Sequence, residues 1–170
     1  MKRTLPILFL LIAFNATSQD EFASTAFYTD LKKIYTDAQE GFIKYKGDKR
    51  KSEYEDLVTE YKVKFMLPLA DSGKIVIPNQ GNPYVIYYFE PNKNRLRIDQ
   101  RAVSLREAIV AAIDKPLYLI TETIMVNDRP WSNSWFFTDA NETNKNAAVL
   151  RMSIYFERNV YYLSLEIRGK

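Results

Sequence analysis

The chain is 170 residues long, 46% hydrophobic and 26% charged, long enough for one domain with a proper core. It has neither histidine nor cysteine. This removes disulfides, ordinary zinc, copper and haem ligation, and the Cys–His and Ser–His–Asp nucleophilic sites. Any catalysis is left to carboxylates, Lys, Tyr or a hard metal held by oxygens.

The N-terminus has the order of a secretory signal. Lys2 and Arg3 precede an apolar run from Leu5 to Phe14, and small residues follow at Ala16 and Ser18. The run is shorter than the roughly 20 residues that span a bilayer. Residues 1–18 are therefore expected to be a signal peptide, cleaved between Ser18 and Gln19, leaving residues 19–170 as a single domain. Losing Lys2 and Arg3 lowers the net charge from +3 to +1. The domain then has no strong field to attract nucleic acid or anionic lipid. With no cysteine there is no lipid-modified N-terminal anchor. The expected product is periplasmic or extracellular, with no membrane insertion of the mature chain.

Phe27, Leu31, Ile34 and Ala38 share a helical face, which predicts a helix over 24–41, started by Ser24 or Thr25 and closed by Gly41 with Phe42 behind it. Residues 44–56 are a charged stretch in which Lys44, Lys46, Lys49, Arg50 and Lys51 are answered by Glu53, Glu55 and Asp56. Residues 53–61 fit either a short helix or a polar loop running into a strand. From Tyr61 the period is two, with Val63, Phe65 and Leu67 on one face. After a turn at Pro68–Gly73 come a short strand at Lys74–Pro78, another turn and a central strand at Tyr84–Glu90. Arg95–Ile98 adds an edge strand. Ser104-x-x-Glu107 reads as a capping box opening a second helix at 105–114, ended by Pro116. Leu117–Val126 and Trp131–Thr138 are strands about a turn at 127–130. Asn141-Glu142-Thr143 in the loop that follows is a formal glycosylation sequon. Residues 148–157 and 160–168 alternate as an antiparallel hairpin about Arg158-Asn159.

No internal repeat, linker or low-complexity tract is evident. The order predicts an α+β fold: an antiparallel sheet with two helices on one face, arranged as helix, three-strand meander, helix, four-strand meander. This order, with Met66-Leu67-Pro68-Leu69-Ala70, the stretch Gly41–Gly47 and the ending Tyr161–Ile167, resembles small exported proteins of unknown function from Gram-negative bacteria. Their domain is similar to the fold of type III secretion chaperones. The resemblance implies a fold and a tendency to bind proteins or to pair. It carries over no catalytic residue, and no helix follows the last strand here.

Two groups of residues are candidates for binding. Trp131 and Trp135, with Phe136, Phe137, Tyr87 and Tyr88 elsewhere in the sheet, offer aromatic surface for stacking on a sugar or a partner chain. Lys49, Arg50 and Lys51 offer charge for a phosphate or an acidic partner. Both groups have plain alternatives, as core packing and as a solvated face. Glu122, Glu157 and Glu166 are the carboxylates from which a hydrolytic pair would be drawn. No glycine-rich phosphate loop occurs. The expectation is a non-enzymatic exported binding or accessory protein of the bacterial envelope, a monomer or weak homodimer with a protein partner and no cofactor, metal or catalytic residue. The alternatives are a carboxylate-dependent hydrolase acting on envelope glycans and an inhibitor or immunity protein.

Overall fold

The computed structural model describes residues 21–54, 56–126, 129–139 and 148–169. The expected signal segment and cleavage site, and the sequon, lie outside them. In chain order the elements are α1 (Thr25–Ala38), β1 (Lys46–Arg50), β2 (Val58–Val63), β3 (Ala70–Pro78), β4 (Tyr84–Asn92), α2 (Arg95–Ala112), β5 (Leu117–Val126), β6 (Arg129–Asp139), β7 (Leu150–Glu157) and β8 (Val160–Arg168). All eight strands form one antiparallel sheet in the order β1-β2-β3-β4-β8-β7-β6-β5. The fold is α+β, with one strand more than expected and a different arrangement. Two four-strand meanders are joined at the centre by β4 and β8, and a helix precedes each. The chain is thus two αβ4 units joined side by side, a repeat of element order with no counterpart in the residues.

The first helix matches its expected span to within three residues. The Ser24 side chain accepts from the Phe27 N–H and caps its start. The chain then turns through two left-handed residues, Gly41 (φ 73°) and Phe42 (φ 62°). Phe42 is fully buried, and that burial offsets its unfavourable backbone. The buried Asp37 carboxylate ties down the exit by accepting from the Lys44 and Tyr45 amides at 3.3 and 3.2 Å.

The second helix begins ten residues before the expected start. Asn94 is its cap, accepting from the Leu96 N–H at 3.0 Å. Arg95–Ile98, expected as an edge strand, is its first turn. Ile98, Ala102, Leu105, Ala108, Ile109 and Ala112 form its buried stripe. Ser104 lies within the helix and accepts from the Phe22 N–H instead of capping. In residues 53–61 the loop-and-strand alternative holds, since β2 begins at Val58. The charged stretch supplies β1. Arg129 and Pro130, expected in a turn, belong to β6.

Both helices pack on the same face of the sheet. Their stripes share one core with Ile75, Val85, Tyr87, Phe89, Met152, Ile154, Leu163, Leu165 and Ile167. Gly73 stands opposite Tyr87, and a Cβ there would come within 2.9 Å of the Tyr87 ring, so only glycine admits that ring. The β7–β8 hairpin closes on Arg158 (φ 50°) and Asn159 (φ 65°), two left-handed residues that match the twist of the strands. Among the described residues no helix is long and apolar enough to cross a membrane.

Candidate functional site

No described element packs on the other face of the sheet. Its residues are the alternate positions of the same strands, and their registers set them in rows. One row runs Tyr88, Ser164, Ser153, Ser134, Glu122 across β4, β8, β7, β6 and β5. Beside it runs Ile86, Glu166, Arg151, Phe136, Ile120, and on the other flank Tyr162, Tyr155, Ser132, Ile124. The serines are buried although no described helix covers them. Ser134 and Ser153 hydrogen-bond to each other at 2.9 Å. Tyr155 and Tyr162 are stacked, with centroids 5.1 Å apart and planes 10° from parallel. The face is thus a serine seam between banks of aromatic and charged side chains.

Arg151 sits at its middle. Its guanidinium lies 5.3 Å from the centre of the Phe136 ring and donates to Ser134 Oγ at 3.3 Å. Its Nε is buried with no hydrogen-bond partner among the described residues. Glu166 stands opposite Arg151 in register but accepts from Arg168 Nε at 2.7 Å, and Glu60 on β2 accepts from Lys74 at 2.8 Å. At the end of the face a polar cleft of about 810 Å³ is lined by Gln80, Asn82, Tyr84, Arg151, Glu166 and Arg168, among others.

Three phenols on this face, those of Tyr84, Tyr88 and Tyr155, are held neutral. Burial first, then the charges of Glu166 and Glu60, raises the Tyr84 and Tyr88 pKa above the usual 10.0. Burial also pushes Tyr155 up to about 12, helped by Tyr88 and Glu157. At neutral pH these three tyrosines are protonated and do not act as bases. A pH dependence follows. A phenol whose folded pKa exceeds its unfolded value contributes stability that is intact below pH 10 and is lost as the pH rises through the folded pKa. The melting temperature should hold to about pH 10 and fall by pH 12, alongside the rise in tyrosinate absorbance. A melting temperature flat across that window would contradict the assignment.

The residues singled out in the sequence are scattered. Tyr87 is fully buried on the helix side, its hydroxyl donating to the Phe65 carbonyl at 3.3 Å, so it belongs to the core and offers no surface. Trp135 packs against that core. Trp131 is 46% exposed. The pairs Ile124–Ser132 and Met125–Pro130 leave it as the extra residue of a β-bulge, the kind of irregularity that re-aims a side chain. Lys49, Arg50 and Lys51 are exposed at the β1 end, with most of the sheet between them and Trp131. Glu122 and Glu166 share the open face but stand three strand spacings apart, about 14 Å, wider than the roughly 10 Å that a glycosidase pair spans. Glu157 is at the hairpin turn beside Arg158. Sequence reasoning named Tyr88 among the aromatics of the sheet but missed Tyr84, Tyr155, Tyr162, Arg151 and the serine seam. On β7 and β8 their signal was the polar half of each alternation, which was assigned to solvent; on β4 both faces are apolar and no such signal exists.

No protein-family model, curated protein or solved structure matches the chain.

Proposed function

We propose that this is a non-enzymatic binding or accessory protein of the bacterial envelope, exported by the signal segment at 1–18, which takes a protein partner on the helix-free face of its sheet. The observation that carries the reading is the make-up of that face. Tyrosines supply large contact area with few rotatable bonds, and serines between them supply hydrogen bonds without bulk. A packed core behind the sheet holds these groups in place, so little order has to be imposed on binding. Arg151 leaves a cationic donor unsatisfied beneath the face, and an arriving carbonyl or carboxylate would relieve that cost. The hydrolase alternative gains no support from the carboxylates. Glu60 and Glu166 each hold a cation, and Glu122 and Glu166 are too far apart to work as a pair.

The test is capture from an envelope fraction by the purified chain beside a Tyr88→Ala/Tyr155→Ala variant. The wild type should retain a defined protein that the double variant loses, with both chains folded. Equal retention by both would reject the face as the binding surface. Cleavage of a glycan or ester by the purified chain, abolished by Glu60→Gln or Glu166→Gln, would favour the hydrolase instead.

A further inference from the structure

The two edges of the sheet are built differently. At one edge β1 is only five residues long and carries Lys46, Asp48, Lys49 and Arg50. Its register also slips between Lys46 and Lys49. Short length, charge and a bulge are the devices that keep an edge from pairing. At the other edge β5 is ten residues long, LYLITETIMV, with one charge and no proline. It pairs with β6 alone, so its outer row of backbone groups faces no strand among the described residues. Tyr118, Leu119, Ile124, Met125 and Val126 are all exposed large apolar residues. A shallow apolar groove beside it, between β5 and α2, is lined by Val110, Ala111, Leu117, Leu119 and Phe137. A bare, apolar edge of this length is a template for strand addition.

We infer that β5 is a homodimer interface, pairing antiparallel with β5 of a second copy across a two-fold axis at Thr121. Two arguments select a second copy. First, one edge is guarded and the other is not, so an isologous β5–β5 contact closes on itself as a dimer and leaves no adhesive edge to extend a fibre. Second, the strand is complementary to itself in one register. A two-fold axis perpendicular to the sheet keeps each face on its own side, so a residue meets only residues of its own face. Tyr118, Ile120, Glu122 and Ile124 share the open face; Leu117, Leu119, Thr121, Thr123 and Met125 share the helix face. With Thr121 opposite Thr121, the pairs are Leu117 with Met125, Tyr118 with Ile124, Leu119 with Thr123, and Ile120 with Glu122. The register two residues along would set Glu122 against Glu122, a like-charge pair. The same join, antiparallel strands edge to edge, already links the two αβ4 units through β4 and β8. The dimer would carry two helix-free faces side by side. This inference is independent of what those faces bind.

The absence of cysteine makes the register directly testable. The chain is expressed at full length, purified, and identified by intact mass, so that the state of its N-terminus is known. Sedimentation velocity at micromolar concentration should give a dimer. Thr121→Lys should weaken that dimer at least about fivefold, since it sets two ammonium groups opposite each other. Paired Thr121 Cα atoms would lie about 4.5–5.5 Å apart, within disulfide reach. Thr121→Cys should therefore form a dimer cross-link on oxidation. Thr123→Cys should not, because its two copies would lie about 14 Å apart. A monomer throughout the micromolar range would overturn the inference. So would a dimer unaffected by Thr121→Lys, or cross-linking by Thr123→Cys equal to that by Thr121→Cys.

Discussion

Replacing Leu163 with aspartate should leave the chain without a cooperative fold. Leu163 lies near the middle of β8, between Phe89 of β4 and Ile154 of β7, and is fully buried on the helix side. It therefore sits at the join between the two αβ4 units, where both halves of the core meet. A carboxylate there would be ionised without a partner or would have to protonate, and either costs several kcal/mol. Domains of this size are stable by only about 5–15 kcal/mol, so one such loss takes most of the margin. Circular dichroism and a thermal melt decide the point. A soluble Leu163→Asp variant that melts in a single sharp transition would mean that the buried face of β8 is wrongly identified.

The parts of the fold that were legible are those where one strong pattern stood alone. The β7–β8 hairpin shows unbroken alternation on both strands around a two-residue turn, and α1 shows a clean apolar stripe after a Ser cap. The parts misread are those where two patterns competed. The first half of α2, RLRIDQRAV, is dominated by charge, and only Ile98 and Ala102 carry its stripe. The Ser104-x-x-Glu107 pattern nearby is a better cap on paper than Asn94. A helix is entered, however, where its stripe first meets the core, and Ile98 already does so. The strand β1 was illegible because an edge strand has no need of apolar residues, and its charges read as loop. The repeated αβ4 order left no trace because the two units share topology and no residue pattern.

The candidate site was less legible than the fold, for a different reason. Rare residues and clusters attract attention, so the tryptophans and the lysine run stood out. Function on a sheet face comes instead from common residues on many strands, brought together only by register. Ser134, Ser153 and Ser164 are unremarkable in the sequence and become one seam when β6, β7 and β8 pair. Tyr87 was misassigned because alternation tells two faces apart without saying which one is buried. Tyr84, Ile86 and Tyr88 are no more polar than Val85, Tyr87 and Phe89.

That ambiguity sets up the second large effect. Tyr87 and Tyr88 are neighbours in the chain, yet they face opposite sides of β4. Tyr87 fits against Gly73, and its ring lies in the core with Val85, Phe89 and Leu165. Tyr87→Ala should cost about 3–5 kcal/mol, the range for deleting a large aromatic from a packed core. Tyr87→Phe, which loses only the bond to the Phe65 carbonyl, should cost about 1 kcal/mol. Tyr88 is half-buried on the open face beside Ser164, with no described element packed over it. Its replacement by alanine leaves no sealed cavity and should cost about 1 kcal/mol or less. If the open face is the binding surface, the order reverses for the partner: Tyr88→Ala loses it, while Tyr87→Phe keeps it. Denaturant melts of the three variants, read beside retention of the captured protein, separate the roles. Equal destabilisation by Tyr87→Ala and Tyr88→Ala would mean that the open face is packed as tightly as the core. A surface packed that tightly would not be free to receive a partner.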